Sequence, residues 1–66
     1  MIYGIAYTED GLPPGSNVGG KIVRWKQDEG VVMTWEDNGD ALLMCDLDGW
    51  RGYVCEYPSG AYMQER

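Results

Sequence analysis

Apolar and polar residues alternate along most of this chain, and the alternation predicts strands. The runs are residues 2–8 (IYGIAYT), 21–27 (KIVRWKQ), 31–36 (VVMTWE), 41–47 (ALLMCDL) and 52–57 (GYVCEY), with a short last strand near 61–64. No segment carries a sustained helical apolar period, and ten glycines and three prolines leave little room for one. Between the first two runs lies EDGLPPGSNVGG, a long Gly/Pro loop. The whole of 1–66 reads as one small β domain.

Two turns share one grammar. QDEGV and EDNGD both read Asp-x-Gly between runs that carry a tryptophan. Each is expected as a type I turn with its glycine, Gly30 or Gly39, in the left-handed region and a one-residue bulge. Gln27 then faces Val31, Trp25 faces Met33 and Val23 faces Trp35. The second turn sets Glu36 against Asp40, Met33 against Leu43 and Val31 against Cys45. One face collects Val23, Trp25, Val31, Met33, Trp35, Ala41, Leu43, Cys45 and Leu47, so both early tryptophans are expected in the core. A two-residue Asn38-Gly39 turn is the rival. It shifts the register by one and takes Leu43 and Cys45 off the Trp35 face. The bulged turn is preferred because it keeps both hairpins on one core. A third hairpin through DGWRG places Cys45 opposite Cys55, Leu47 opposite Tyr53 and Leu43 opposite Tyr57.

Five short antiparallel strands with one long early loop predict an all-β fold, a small five- to six-stranded antiparallel barrel. The strand plan resembles that of SH3-like barrels. GYVCEY also resembles the Gly-Tyr-hydrophobic-x-x-Tyr ending of SH3 domains. The resemblance covers the plan and those residues, and it implies architecture alone.

At 66 residues a chain buries only about 60% of its unfolded surface, so its core is marginal. The hydrophobic content of 44% argues against disorder. No basic-then-apolar leader follows Met1 and no apolar run approaches a membrane span, so a soluble, cytoplasmic protein without membrane contact is expected. Eleven acids against five bases give a net charge of −6. Such a surface repels phosphate backbones, which disfavours direct nucleic-acid binding; it serves solubility or favours a basic protein partner.

Candidate chemistry is sparse. Cys45 and Cys55 are too few for a disulfide scaffold and are expected as reduced, buried thiols. With no histidine to join them they form no zinc site, and no Ser/His or Cys/His nucleophile is available. GSNVGGKI imitates a phosphate loop, but Ile22 replaces the required Ser or Thr and a strand follows instead of a helix. It reads as a flexible glycine loop. DLDG at 46–49 imitates a calcium loop, but Glu56 falls one position short of the required bidentate ligand. Neither a metal, a cofactor nor an enzyme activity is expected.

The aromatic set carries more information. Three Trp, five Tyr and no Phe give every ring a polar handle. Trp50, with Arg51 beside it, sits at an expected hairpin tip and is a candidate anchor for a partner, the alternative being that it folds back and caps the core between Leu47 and Tyr53. The second face of the expected sheet carries Ile22, Val32, Leu42 and Met44, with Val32 and Met44 as cross-strand neighbours. Val32, Leu42 and Met44 therefore join the candidate partner-binding residues. Asp28 and Glu29 at one tip, and Glu36, Asp37 and Asp40 at the other, form an acidic surface. The functional expectation is a small acidic protein-binding module, an adaptor or inhibitor of a larger protein. A nucleic-acid-mimicking inhibitor that presents these carboxylates to a basic site is the second reading. A self-associating subunit that buries the apolar patch in a homo-oligomer is the third.

Overall fold

The computed structural model describes residues 1–47 and 52–62, with Asp46 and Leu47 described by their backbone alone. The elements are β1 (Tyr3–Thr8), β2 (Ile22–Trp25), β3 (Gln27–Asp28), β4 (Val31–Val32), α1 (Asn38–Leu47) and β5 (Tyr53–Glu56). The strands form two antiparallel sheets, one ordered β2-β1-β5 and one of β3 with β4. Helix α1 packs on β1 and β5.

Strand β1 is the centre of the molecule. Its YGIAY segment alternates small and large residues, and Gly4, Ile5 and Ala6 are all buried. Ile5 and Ala6 lose all their exposure, as does Ala41 of the helix. Gly4 is needed for space, because a Cβ there would lie 2.9 Å from Cε3 of Trp25. The half-buried Trp25 ring covers that glycine and meets Tyr57 edge-on at 5.0 Å and 84°, a favourable aromatic arrangement. Gly52 has the same role at the sheet's other edge, where an added Cβ would come within 2.5 Å of Ile5 Cγ2.

One edge of β1 is covered by two separate pieces of chain. Strand β2 pairs Ala6 with Trp25 and Tyr7 with Arg24, whose guanidinium lies 4.6 Å over the Tyr7 ring. The Lys26 amide still donates to Ile5 O at 2.8 Å, and the chain then leaves the sheet. It returns at Trp35, which exchanges two backbone hydrogen bonds with Tyr3 at 2.7 and 2.8 Å. The hairpin β3–β4 is thus an excursion from a strand position, and residues 27–31 are all exposed.

The long loop after β1 is tied down, where a flexible one was expected. The Asp10 carboxylate accepts from the amides of Leu12 and Gly20. Thr8 Oγ1 donates to Leu12 O at 2.8 Å, Ser16 Oγ donates to Pro13 O at 2.6 Å, and the Glu9 amide donates to Lys21 O. Gly20 has φ 86° and a Cβ added there would collide with Pro13 O, so only glycine fits. The amide that a phosphate loop would offer to its ligand here serves the chain's own carboxylate.

The expected five- to six-stranded SH3-like barrel is therefore corrected to a mixed α/β arrangement of two small sheets and one helix. The decisive residues are 41–47, expected as a strand and found in α1. With a helix there, β4 pairs with β3 alone among the described residues, and the expected meander ends. The expected core face dissolves as well. Val23, Val31 and Leu43 are exposed, while Ala41 and Cys45 are buried at helical spacing. The first turn is corrected too. Glu29 (φ 52°) and Gly30 (φ 82°) are both left-handed, which makes a two-residue turn that pairs Gln27 with Val32 and Asp28 with Val31. Gly30 is left-handed as expected, but the register lies one residue from the expected one.

Candidate functional site

The site is built on α1, and its start explains why residues 38–47 are helical. Asp37 is the N-cap. Its Oδ1 accepts from the Gly39 amide at 2.8 Å, and its carbonyl accepts from the amides of Asp40 and Ala41. A capping carboxylate satisfies amides that the first turn leaves without partners. Asp40 in that turn adds a favourable charge near the positive end of the helix dipole. Ala41, Leu42, Leu43 and Met44 then follow, all strong helix formers.

The helix buries Ala41 and Cys45, one turn apart, and leaves Leu42 48% and Leu43 57% exposed. Asn38, Leu42 and Cys45 line one wall of a cleft of about 460 Å³, and Gly52, Tyr53, Val54 and Tyr62 line the other. The Tyr53 and Tyr62 rings meet edge-on at 5.5 Å and 75°. The Tyr53 hydroxyl donates to Gly11 O at 2.6 Å, which ties this wall to the loop after β1. The Cys45 thiol donates to Gly52 O at 3.5 Å and fixes one end of the cleft. Trp35 and Glu56 both pair with Tyr3, from opposite edges of β1. Glu36 and Asp37 follow directly on Trp35, so they lie across β1 from Glu56.

Both cysteines are buried, as expected, but they do not face each other on adjacent strands. Cys45 lies on the helix and Cys55 on β5. Burial pushes the Cys55 thiol from 9.0 up to about 11. It stays protonated at neutral pH, which makes it a poor nucleophile.

The sequence-predicted residues fall into separate places. Leu42 stands at the cleft beside Glu36, Asp37 and Asp40, all exposed and all at the start of α1. Asp28 and Glu29 form the turn of the projecting hairpin, on a different element. Val32 lies half-buried on β4, and Met44 half-buried on α1. The two are not cross-strand neighbours, because α1 is no strand. Met44 also lies about 200° around the helix from Leu42, so the expected apolar patch is not one continuous sheet face. Trp50 and Arg51 lie outside the described residues. Asn38, Tyr53, Val54 and Tyr62 were not anticipated as site residues. The available signal was Asp37 followed by Asp40 before an apolar run, a helix-start pattern.

Among the described residues there is no group of three or more Cys, Asp or Glu placed to hold a metal ion. None of the helices among them is long and apolar enough to cross a membrane. No protein-family model, no curated protein and no solved structure matches this chain.

Proposed function

We propose that this chain is an acidic protein-binding module, an adaptor or inhibitor of a larger protein, and that it docks through the outer surface of α1. The observation that carries this reading is the exposure of Leu42 and Leu43 side by side on a short helix with carboxylates at its start. Fully burying one leucine is worth about 1.5–3 kcal/mol. Two of them left in water on one element offer a partner that driving force. The carboxylates Glu36 and Asp40 select a partner whose apolar patch has a basic rim.

The charge-mimic reading is favoured by a different observation: Asp28, Glu29, Glu36, Asp37 and Asp40 are all exposed. Ionic strength separates the two readings. The Debye length shrinks from about 10 Å at 0.1 M salt to about 3 Å at 1 M. Partner capture from a host lysate is measured at both salts with the wild type and with Leu42→Lys and Leu43→Lys. Docking on α1 predicts capture that survives high salt and is lost in the leucine variants. Capture that vanishes at high salt and ignores both substitutions assigns binding to the carboxylates instead.

A further inference from the structure

Asn38 and Gly39 form the one Asn-Gly pair of the chain, and its other asparagine, Asn17, precedes the β-branched Val18. An Asn-Gly pair carries a reaction of its own. The glycine amide nitrogen can attack the side-chain carbonyl carbon of the asparagine, because no Cβ on the second residue crowds the approach. Asn38 is exposed at the first position of α1, where water reaches it. Asp10-Gly11 is a related pair, but an ionised carboxylate is a poor electrophile, and that of Asp10 is held by the amides of Leu12 and Gly20.

The fold restrains the reaction at two points. The attacking nitrogen must lose its proton, and the Gly39 N–H donates that proton to Asp37 Oδ1 in a hydrogen bond of 2.8 Å. A charge-assisted bond of this kind holds the proton on the nitrogen. Ring closure also needs the Gly39 nitrogen nearly coplanar with Cβ of Asn38, whereas a helical ψ of about −40° twists it away. Both restraints belong to the first turn of α1. Its amides lack intrahelical partners, so the Asp37 cap is what holds the Gly39 amide in place.

We propose that Asn38 is a modification site at which the chain deamidates itself, and that the Asp37 cap sets the rate by keeping the first turn of α1 closed. When the turn opens, the Gly39 nitrogen bonds to Cγ of Asn38. The side-chain nitrogen leaves as ammonia, taking up the proton that the Gly39 nitrogen gives up, and a cyclic imide remains. Water then adds to one of its two carbonyls and breaks that carbon–nitrogen bond. Opening at the backbone carbonyl gives isoaspartate, whose main chain is longer by one carbon. Opening at the side-chain carbonyl gives ordinary aspartate. The two products act oppositely on α1. Aspartate at the first helical position complements the positive end of the helix dipole. Isoaspartate breaks the spacing between the cap and the amides it serves, so the turn stays open.

The test incubates the folded protein in mildly alkaline buffer. Mass spectrometry follows deamidation of the peptide that carries Asn38, and enzymatic methyl transfer follows isoaspartate. The folded rate is expected about tenfold or more below that of the same chain unfolded in denaturant, the protection of a turn that is seldom open. Denaturant too dilute to unfold the protein leaves the folded rate unchanged, since opening one turn exposes little surface. Asp37→Ala raises the rate about fivefold, the population shift that goes with a lost cap, and Asp37→Ser, which keeps a capping oxygen, restores it. Asn38→Asp keeps the helical amide signals of residues 38–41, while the isoaspartate fraction of aged protein loses them. Equal rates in the folded and unfolded chain, or no reaction at Asn38 in the unfolded one, overturn the proposal. A folded rate that climbs with denaturant from the outset overturns it in favour of whole-molecule unfolding. Asp37→Ala at the wild-type rate, or Asp37→Ser as fast as Asp37→Ala, overturns the role of the cap.

Discussion

The turn of the hairpin and the start of the helix are written in nearly the same residues. Asp28-Glu29-Gly30 and Asp37-Asn38-Gly39 are both Asp-x-Gly, yet the first reverses a pair of strands and the second opens α1. The contrast is sharper because Asn-Gly is the stronger hairpin dipeptide. It is Glu29 that takes the left-handed conformation, at φ 52°, while Asn38 and Gly39 lie in the first helical turn. The residues on the C-terminal side of each triplet decide its conformation. Val31 and Val32 are β-branched and favour extended chain. Ala41 to Met44 are helix formers, and burial of Ala41 and Cys45 on the sheet adds to their propensity. The two regions also differ in what supports them. The helix depends on burial of Ala41 and Cys45, whereas the hairpin is exposed along 27–31.

The largest effect should come from placing a charge on each region. Ala41→Asp buries an unpaired carboxylate and should cost about 3 kcal/mol or more, enough to unfold a domain of marginal stability. Val31→Asp, at a position 68% exposed, should change stability by no more than about 0.5 kcal/mol. Denaturant titration of both variants measures the contrast, and equal losses would break it.

A pH titration probes the buried side of the same comparison. The Cys55 thiol titrates at about 11 when folded against 9.0 when unfolded. Above pH 9 the unfolded state loses its proton first, so stability is full below 9 and falls as pH rises toward about 11. The loss should be on the order of 2 kcal/mol and should be missing from Cys55→Ala. A flat difference between the two proteins over that window would show that Cys55 is not desolvated.

The glycines give the next effect. Gly30→Val should cost about 1–2 kcal/mol because its φ of 82° penalises a branched side chain. Gly39→Ala has two opposed terms. Helix propensity favours alanine by up to about 1 kcal/mol, while its Cβ would crowd Asp37 Oδ1 at 3.2 Å. The net change should stay within about 0.5 kcal/mol. A large loss in Gly39→Ala would restore the hairpin reading of residues 36–40. The smallest effect is a gain: Glu29→Asn should stabilise by a few tenths of a kcal/mol, since Asn tolerates the left-handed region better. Thermal melting resolves its sign.

The first and last strands were legible from alternation, at 2–8 and 52–57 against Tyr3–Thr8 and Tyr53–Glu56. Their patterns are local, and β-branched and aromatic residues fill them. The left-handed Gly30 was legible too, since glycine accepts that conformation without penalty. ALLMCDL was misread because a short apolar run fits a period of 2 as readily as one of 3.6. The capping role of Asp37 breaks that tie, and it lies outside the run. The candidate cleft was harder still. Leu42, Glu36, Asp37 and Asp40 were singled out, but Tyr53, Val54 and Tyr62 join them only because α1 lies on β5.

By itself the sequence determined the acidic surface, the extended character of Tyr3–Thr8 and Tyr53–Glu56 and the left-handed Gly30, though not the helical Gly39. Those properties belong to single residues and their immediate neighbours. Tertiary structure decided the rest: that β1 is central, that its edge is shared by β2 and Trp35, and that residues 38–47 coil. Each of these depends on which apolar faces find cover. Ala41 and Cys45 find theirs on the sheet only as a helix, and the apolar run by itself does not record that preference.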